Sequence, residues 1–268
     1  MNKRLIITLI IVLLAIIMVV VFSWGHDGKR NQSNKVDLYV LAAASLTDAM
    51  QDIEQTYEAT HPHINLLISY AASGKLQQQI SEGARADAYL SASVKYMDRL
   101  EDQDRLINRA PILKNRMILI ANQDTPKVKN LHDLASSNVG NITIGYPDTV
   151  PAGKYAKQIL TDRHLWESLK SKMVFGNDVR QVLAYVETGN AEAGLVYQTD
   201  LQAAGQTVKK VAVINEAFHQ PIIYPAGMIK GTEHLQQTKT FFHWLQTADA
   251  MKIFKSYQFT PYSQERAQ

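Results

Sequence analysis

Short runs of β-branched and other apolar residues alternate along this chain with stretches whose apolar positions recur every three to four residues. The runs at 36–41, 64–70, 88–91, 117–121, 142–145 and 194–197 predict strands. The stretches at 46–60, 74–82, 94–102, 152–164 and 179–188 predict helices, most of them directly after a strand. Strand and helix in alternation predict an α/β fold with mostly parallel sheets covered on both faces.

Two segments at the start depart from this rhythm. Lys3 and Arg4 precede a run from position 5 to 22 that is apolar but for Thr8. As a helix that run extends about 27 Å, close to the roughly 30 Å of membrane hydrocarbon. Residues 1–23 are therefore expected to form a signal or anchor segment, with the basic end in the cytoplasm and the rest of the chain outside. Val21 and Ser23 are small enough for a cleavage site, but the A-x-A pattern is missing, so retention as an anchor is favoured over removal. Residues 24–35 are polar, include Gly25, Asp27, Gly28, Asn31 and Ser33, and read as a flexible tether.

Composition narrows the classes. The chain has 268 residues, 46% of them hydrophobic, enough for one large domain or two lobes. It has no cysteine, which excludes disulfides, thiolate metal sites, cysteine nucleophiles and lipoprotein acylation. Its net charge of +3 comes from scattered Lys and Arg, not from the basic stripe that a nucleic-acid surface needs.

The turns from strand to helix carry the candidate chemistry. Ser45 opens Ser-Leu-Thr-Asp, the spacing of a capping box with Asp48. Ser73 stands before Gly74 and a helix in the same way. Pro151 fits the first position of a helix and leaves the Ala152 amide among its unpaired donors. Asp178 fits as the cap of a helix in which Val179 exposes its amide, with Gln181 three residues on. Singly, each is an ordinary helix start. Four such turns opening on one cleft would make an anion site without any cationic side chain, placed where open α/β sheets hold their ligands.

These residues lie in motifs with a family resemblance: Ala-Ala-Ala-Ser-Leu-Thr-Asp-Ala-Met (42–50), Tyr-Ala-Ala-Ser-Gly-Lys-Leu (70–76), Ala-Asp-Ala-Tyr-Leu-Ser-Ala (86–92), Val-Pro-Ala-Gly-Lys-Tyr-Ala (150–156), Asp-Val-Arg (178–180) and Gly-Leu-Val-Tyr (194–197). Together they resemble the molybdate-binding proteins of ABC importers, a group of type II periplasmic-type binding proteins. The resemblance covers nearly everything after the tether. It implies a binding protein, not an enzyme, that holds molybdate, and tungstate with it, through Ser45, Ser73, Ala152, Val179 and Tyr197. Tyr197 enters through the resemblance alone.

The resemblance also implies an α/β, two-lobed type II fold with a hinge of two crossing strands, near 117–121 and 222–228. The first lobe is expected at 36–116 and 226–268, completed by the C-terminal helices, and the second at 117–225. The implied partners are an ABC permease and its ATPase, with the membrane reached through the N-terminal segment. A monomer is expected, with no cofactor beyond the transported anion. The sequence departs from the family pattern at Gly74 and Lys75, and Lys75 is expected to set a cation near the site.

Two other readings remain. One is a binding protein for another tetrahedral oxyanion such as sulfate; the other is an anion-processing enzyme. For the enzyme there is no G-x-S-x-G elbow and no S-x-x-K, and Ser73-Gly74-Lys75 lacks the Ser or Thr of a phosphate loop because Leu76 follows. His61 and His63 flank Pro62 as a solvated turn in preference to a metal pair. Glu54, Glu58, Asp98, Glu101, Asp102 and Asp104 read as solvated faces.

Overall fold

The computed structural model describes residues 35–124 and 128–263. The expected membrane segment and all but the last residue of the expected tether lie outside them. No helix among the described residues is long and apolar enough to cross a membrane. The described residues from Val36 onward form one compact unit.

The chain begins with β1 (Val36–Ala43), a 3₁₀ turn (Ala44–Leu46), α1 (Thr47–Thr60), β2 (Ile64–Ala71), α2 (Ser73–Ser81), β3 (Ala88–Leu90) and α3 (Val94–Asp102). It continues through β4 (Leu106–Lys114), β5 (Met117–Asn122), β6 (Ile142–Gly145), α4 (Pro151–Asp162), α5 (Trp166–Leu169), β7 (Met173–Gly176) and α6 (Val179–Glu187). After these come β8 (Ala193–Tyr197), a 3₁₀ turn (Gln198–Ala203), β9 (Val208–Val213), β10 (Ile223–Ile229), α7 (Leu235–Trp244), α8 (Ala248–Ser256) and β11 (Thr260–Pro261).

The strands form two sheets, in the orders β11-β4-β10-β3-β1-β2 and β7-β6-β8-β5-β9. Both are mixed, where the alternation of elements predicts mostly parallel pairing. Strands β2-β1-β3 and β7-β6-β8 are parallel sets. Strands β10 and β5 run antiparallel to their neighbours. The reason is connectivity: each is the first strand after the chain passes from one sheet to the other, and it enters in the reverse direction. The passages fall at 115–116 and 214–222, so the stretches expected to cross, 117–121 and 222–228, lie mainly within strands of a single sheet.

The periodic helices bury the faces their patterns indicate. On α6, Val179, Val182, Leu183 and Val186 are buried, spaced as one helical stripe. On β5 all six residues are buried, as a strand with both faces covered requires. The result is an α/β, two-lobed type II periplasmic-binding-protein fold in which the carboxyl ends of β1, β2, β6, β7 and β8 lead into one region.

Candidate functional site

Ser45, Ser73, Ala152, Val179 and Tyr197 all line one small cavity. Each follows or ends a parallel strand: Ser45 after β1, Ser73 after β2, Ala152 after β6, Val179 after β7, and Tyr197 at the last position of β8. The first two come from one sheet and its helices, the other three from the other. Besides these five, alanines, Val150, Pro151 and Asp178 complete the wall.

The serines reach the cavity by a route other than helix capping. Ser45 lies inside the 3₁₀ turn and caps nothing; its Oγ is 2.9 Å from the Tyr224 hydroxyl. Asp48, expected to close the capping box, instead accepts from the Arg180 guanidinium. Ser73 is the first residue of α2, and Ala72 takes the cap position without a side-chain bond. The Ser73 Oγ accepts from the Ala92 amide at 3.0 Å, which leaves its own proton to donate elsewhere. Both spacings satisfy the capping pattern, but tertiary partners claim the side chains.

The two amides follow from helix starts. Pro151 is the first residue of α4 and Ala152 the second, so the Ala152 N–H has no acceptor within the helix. The turn can lie this close to β6 because position 153 is glycine: a Cβ there would stand 1.9 Å from the Gly145 carbonyl oxygen. Asp178 caps α6, its Oδ1 accepting from the Gln181 amide at 2.9 Å. Gln181 returns its Oε1 to the Asn177 amide at 2.6 Å, one residue earlier than a capping box would place it. Val179 is the first residue of α6, with its amide at the positive end of the helix dipole.

Tyr197 is 1% exposed, and its hydroxyl has no hydrogen-bond partner in the protein. Its ring packs edge-on against Tyr155 and Tyr224. Burial raises the pKa of both Tyr197 and Tyr224 well above the ordinary value, so each keeps its proton. A buried, protonated, unpartnered hydroxyl on a cavity wall is a donor awaiting an acceptor.

No Lys, Arg or His lines the cavity among the described residues. Lys75 is exposed and stands outside the lining, so the cation expected there is absent from the wall. Arg180, next to Val179 in the chain but outside the lining, is committed to Asp48 and Asp200, and the Asp178 carboxylate in the wall is engaged in capping α6. The wall thus offers the hydroxyls of two serines and a tyrosine and two helix-start amides, groups able to donate to an anion that presents acceptors only. Sequence reasoning missed Tyr224, Asn115 and the Arg180 pairings, which depend on contacts between residues far apart in the chain. The turn at His61 is a packed one: the imidazole stacks on Tyr57 with ring centroids 4.0 Å apart, and its Nδ1 lies 3.0 Å from the Tyr57 carbonyl oxygen.

Residues 38–260 match the family model described as bacterial extracellular solute-binding protein. The chain belongs to that family. Its similar proteins include YvgL of Bacillus subtilis, whose name assigns it as an ABC transporter substrate-binding lipoprotein, at 41% identity over 88% of this chain and 91% of that one. The molybdate-binding protein ModA of Haemophilus influenzae is 35% identical over 82% of this chain and 89% of its own. Among solved structures, the periplasmic molybdate-binding protein of Azotobacter vinelandii superposes with a TM-score of 0.76 at 21% identity, covering 84% of this chain and all of that one. That last likeness shows the shared fold. As an extracellular solute-binding protein, the chain belongs to a class that captures a ligand for transport and carries out no reaction. The enzyme reading therefore falls away. For such a protein a cavity shared by two lobes is the expected place for the ligand, and it is here that the five donors meet.

Proposed function

We propose that this solute-binding protein captures molybdate, and tungstate with it, for an ABC importer, holding the oxyanion with Ser45, Ser73, Ala152, Val179 and Tyr197. One observation carries the reading: five donors from two lobes line one small cavity whose wall has no cationic side chain. A fully deprotonated tetrahedral oxyanion offers only acceptors, and each donor to its charge contributes about 1.5–3 kcal/mol. The 35% identity to a named molybdate-binding protein supports molybdate as the member of that class.

The same reading supplies the setting. The halves built on the two sheets close on the anion as a hinged clamp, and a permease with its ATPase reads the closed form. Residues 1–23 hold the protein at the outer face of the membrane, since the chain has no cysteine for a lipid. It works as a monomer.

Calorimetric titration of the full-length chain with molybdate, tungstate, sulfate and phosphate at pH 7 tests the ligand. Molybdate and tungstate should bind, with phosphate at least about tenfold weaker because its remaining proton needs an acceptor. Sulfate binding as tight as molybdate would move the assignment to a general oxyanion carrier.

A further inference from the structure

Ser45 is the cavity donor whose direction the structure decides at a distance. Its Oγ lies 2.9 Å from the Tyr224 hydroxyl, and geometry alone allows either oxygen to donate. The answer comes from Asn115, which sits in the short passage from β4 to β5. The Arg116 backbone N–H points at the Asn115 Oδ1 at 2.8 Å, and a backbone amide can only donate. That bond fixes which end of the Asn115 amide is oxygen. Its Nδ2 then faces Thr199 Oγ1 at 2.9 Å and the Tyr224 hydroxyl at 3.2 Å, and it donates to both.

Since the Tyr224 oxygen accepts from Asn115, its single proton goes to Ser45. Ser45 therefore accepts from Tyr224, and its own proton has only the cavity to serve. All four side chains are nearly enclosed: Tyr224 is 0% exposed, Ser45 and Thr199 3%, and Asn115 8%. Water is thus poorly placed to reverse the order. The relay starts beside the inter-lobe passage, where the Asn115 backbone N–H donates to the Ile222 carbonyl at 3.2 Å, tying one passage to the end of the other.

We propose that Asn115 and Tyr224 are specificity-determining positioning residues: their one-way hydrogen-bond relay fixes Ser45 as a donor, so that the cavity favours fully deprotonated oxyanions over protonated ones. The inference rests on the oxyanion reading above. It adds two residues that touch no ligand. Without the relay the Ser45 hydroxyl rotates freely and can accept the proton of hydrogen phosphate, so discrimination falls more than affinity does.

The test is titration of the full-length chain with molybdate, sulfate and phosphate at pH 7, in wild type, Tyr224→Phe, Asn115→Asp, Ser45→Ala and the Ser45→Ala/Tyr224→Phe double variant. Tyr224→Phe removes the proton given to Ser45. Asn115→Asp keeps the shape but turns a donor into an acceptor, which draws the Tyr224 proton away from Ser45, and it serves if the phenylalanine variant folds poorly. Each should narrow the molybdate-to-phosphate affinity ratio by about tenfold, the scale of one misplaced hydrogen bond. In the Ser45→Ala background, Tyr224→Phe should leave the ratio unchanged. Equal losses for both anions, or the same narrowing without Ser45, would overturn the relay. A wild type that prefers sulfate overturns the molybdate reading alone, and the relay is then judged on the sulfate-to-phosphate ratio. A wild type that binds no oxyanion overturns both.

Discussion

The Arg180 guanidinium, one residue beyond the Val179 amide, donates to the Asp48 carboxylate three residues beyond Ser45, and so ties the second lobe to the first at the edge of the cavity. Both partners are partly enclosed, with side chains 22% and 33% exposed. Behind Arg180, its Nε lies 3.4 Å from Asp200 Oδ1, within ion-pair range but without hydrogen-bond alignment. The guanidinium therefore serves one carboxylate in its own lobe and one across the cleft. In the proposed hinged clamp, only the second breaks when the lobes separate.

Asp48→Asn should therefore weaken ligand binding without unfolding the protein. A partly exposed ion pair contributes about 0.2–1 kcal/mol, which predicts a loss of up to about fivefold in affinity. The difference from wild type should shrink as salt is raised. Titration at low and high ionic strength measures it. An unchanged dissociation constant at low salt would mean the pair plays no part in closure.

The proposed ligand donors separate by what they do in the protein alone. Ser45→Ala and Ser73→Ala should each lower molybdate affinity by roughly ten- to a hundredfold. Each should also lower the unliganded melting temperature, because the Tyr224 hydroxyl loses a buried partner or the Ala92 amide a buried acceptor. Tyr197→Phe should behave differently. Its hydroxyl has no protein partner, so the variant should melt no lower than wild type while binding more weakly. Wild-type affinity in Tyr197→Phe would remove that residue from the ligand shell.

The readable parts of the sequence were those set by local pattern. The helix expected at 94–102 is α3 to the residue, because Tyr96, Met97 and Leu100 form an unambiguous apolar face. Four of the five candidate residues stand at strand ends that the alternation of elements already marks; β7, which leads to Val179, was not among the expected strands. Strand β4 went unread because its sequence contains Asn108, Arg109 and Pro111, which argue against a strand. It is nonetheless a strand, since Pro111 pairs with Pro225 beside a register shift where the ladder is already irregular. The cap expected at Ser45 fails for another reason: Arg180, 132 residues away, takes Asp48, and Tyr224, 179 residues away, takes Ser45. Local spacing cannot anticipate such competitors.

Asp200 sets a pH dependence on stability. It is 0% exposed, and burial raises its pKa from the usual 3.8 to about 7, with Arg180 opposing the shift and Asp48 and Asp178 adding to it. A carboxyl whose folded pKa exceeds its unfolded one favours the fold when protonated. That contribution is complete below about pH 4 and is lost as pH rises to about 7. Asp200→Asn cannot ionise but still accepts from the Tyr197 amide. Its melting temperature relative to wild type should therefore rise steadily between pH 4 and 7, measured without ligand. A constant difference across that range would show that Asp200 stays ionised throughout.

The sharpest test of closure is Gly74→Ala. Gly74 is the second residue of α2 in the first lobe, and its amide donates at 2.9 Å to the carbonyl of Thr149, in the turn before α4 in the second. Beside it, Tyr96 donates at 2.7 Å to the Asp148 carbonyl, so two adjacent carbonyls of one lobe are held by the other. A Cβ at position 74 would stand 2.7 Å from the Thr149 oxygen and 2.9 Å from its Cα, both backbone atoms with little freedom to yield. It would also meet a Tyr96 ring carbon at 2.9 Å, a contact that a small ring movement can relieve. In a separated pair of lobes the Thr149 obstacle is gone, and alanine near a helix start is then the better residue by up to about 1 kcal/mol. Gly74→Ala should therefore melt at or above the wild-type temperature without ligand. It should bind molybdate at least about tenfold more weakly, the scale of one lost hydrogen bond plus the clash. Small-angle X-ray scattering should show less contraction on adding molybdate than in wild type. Wild-type affinity with full contraction would mean that the Gly74–Thr149 contact is not part of the closed state.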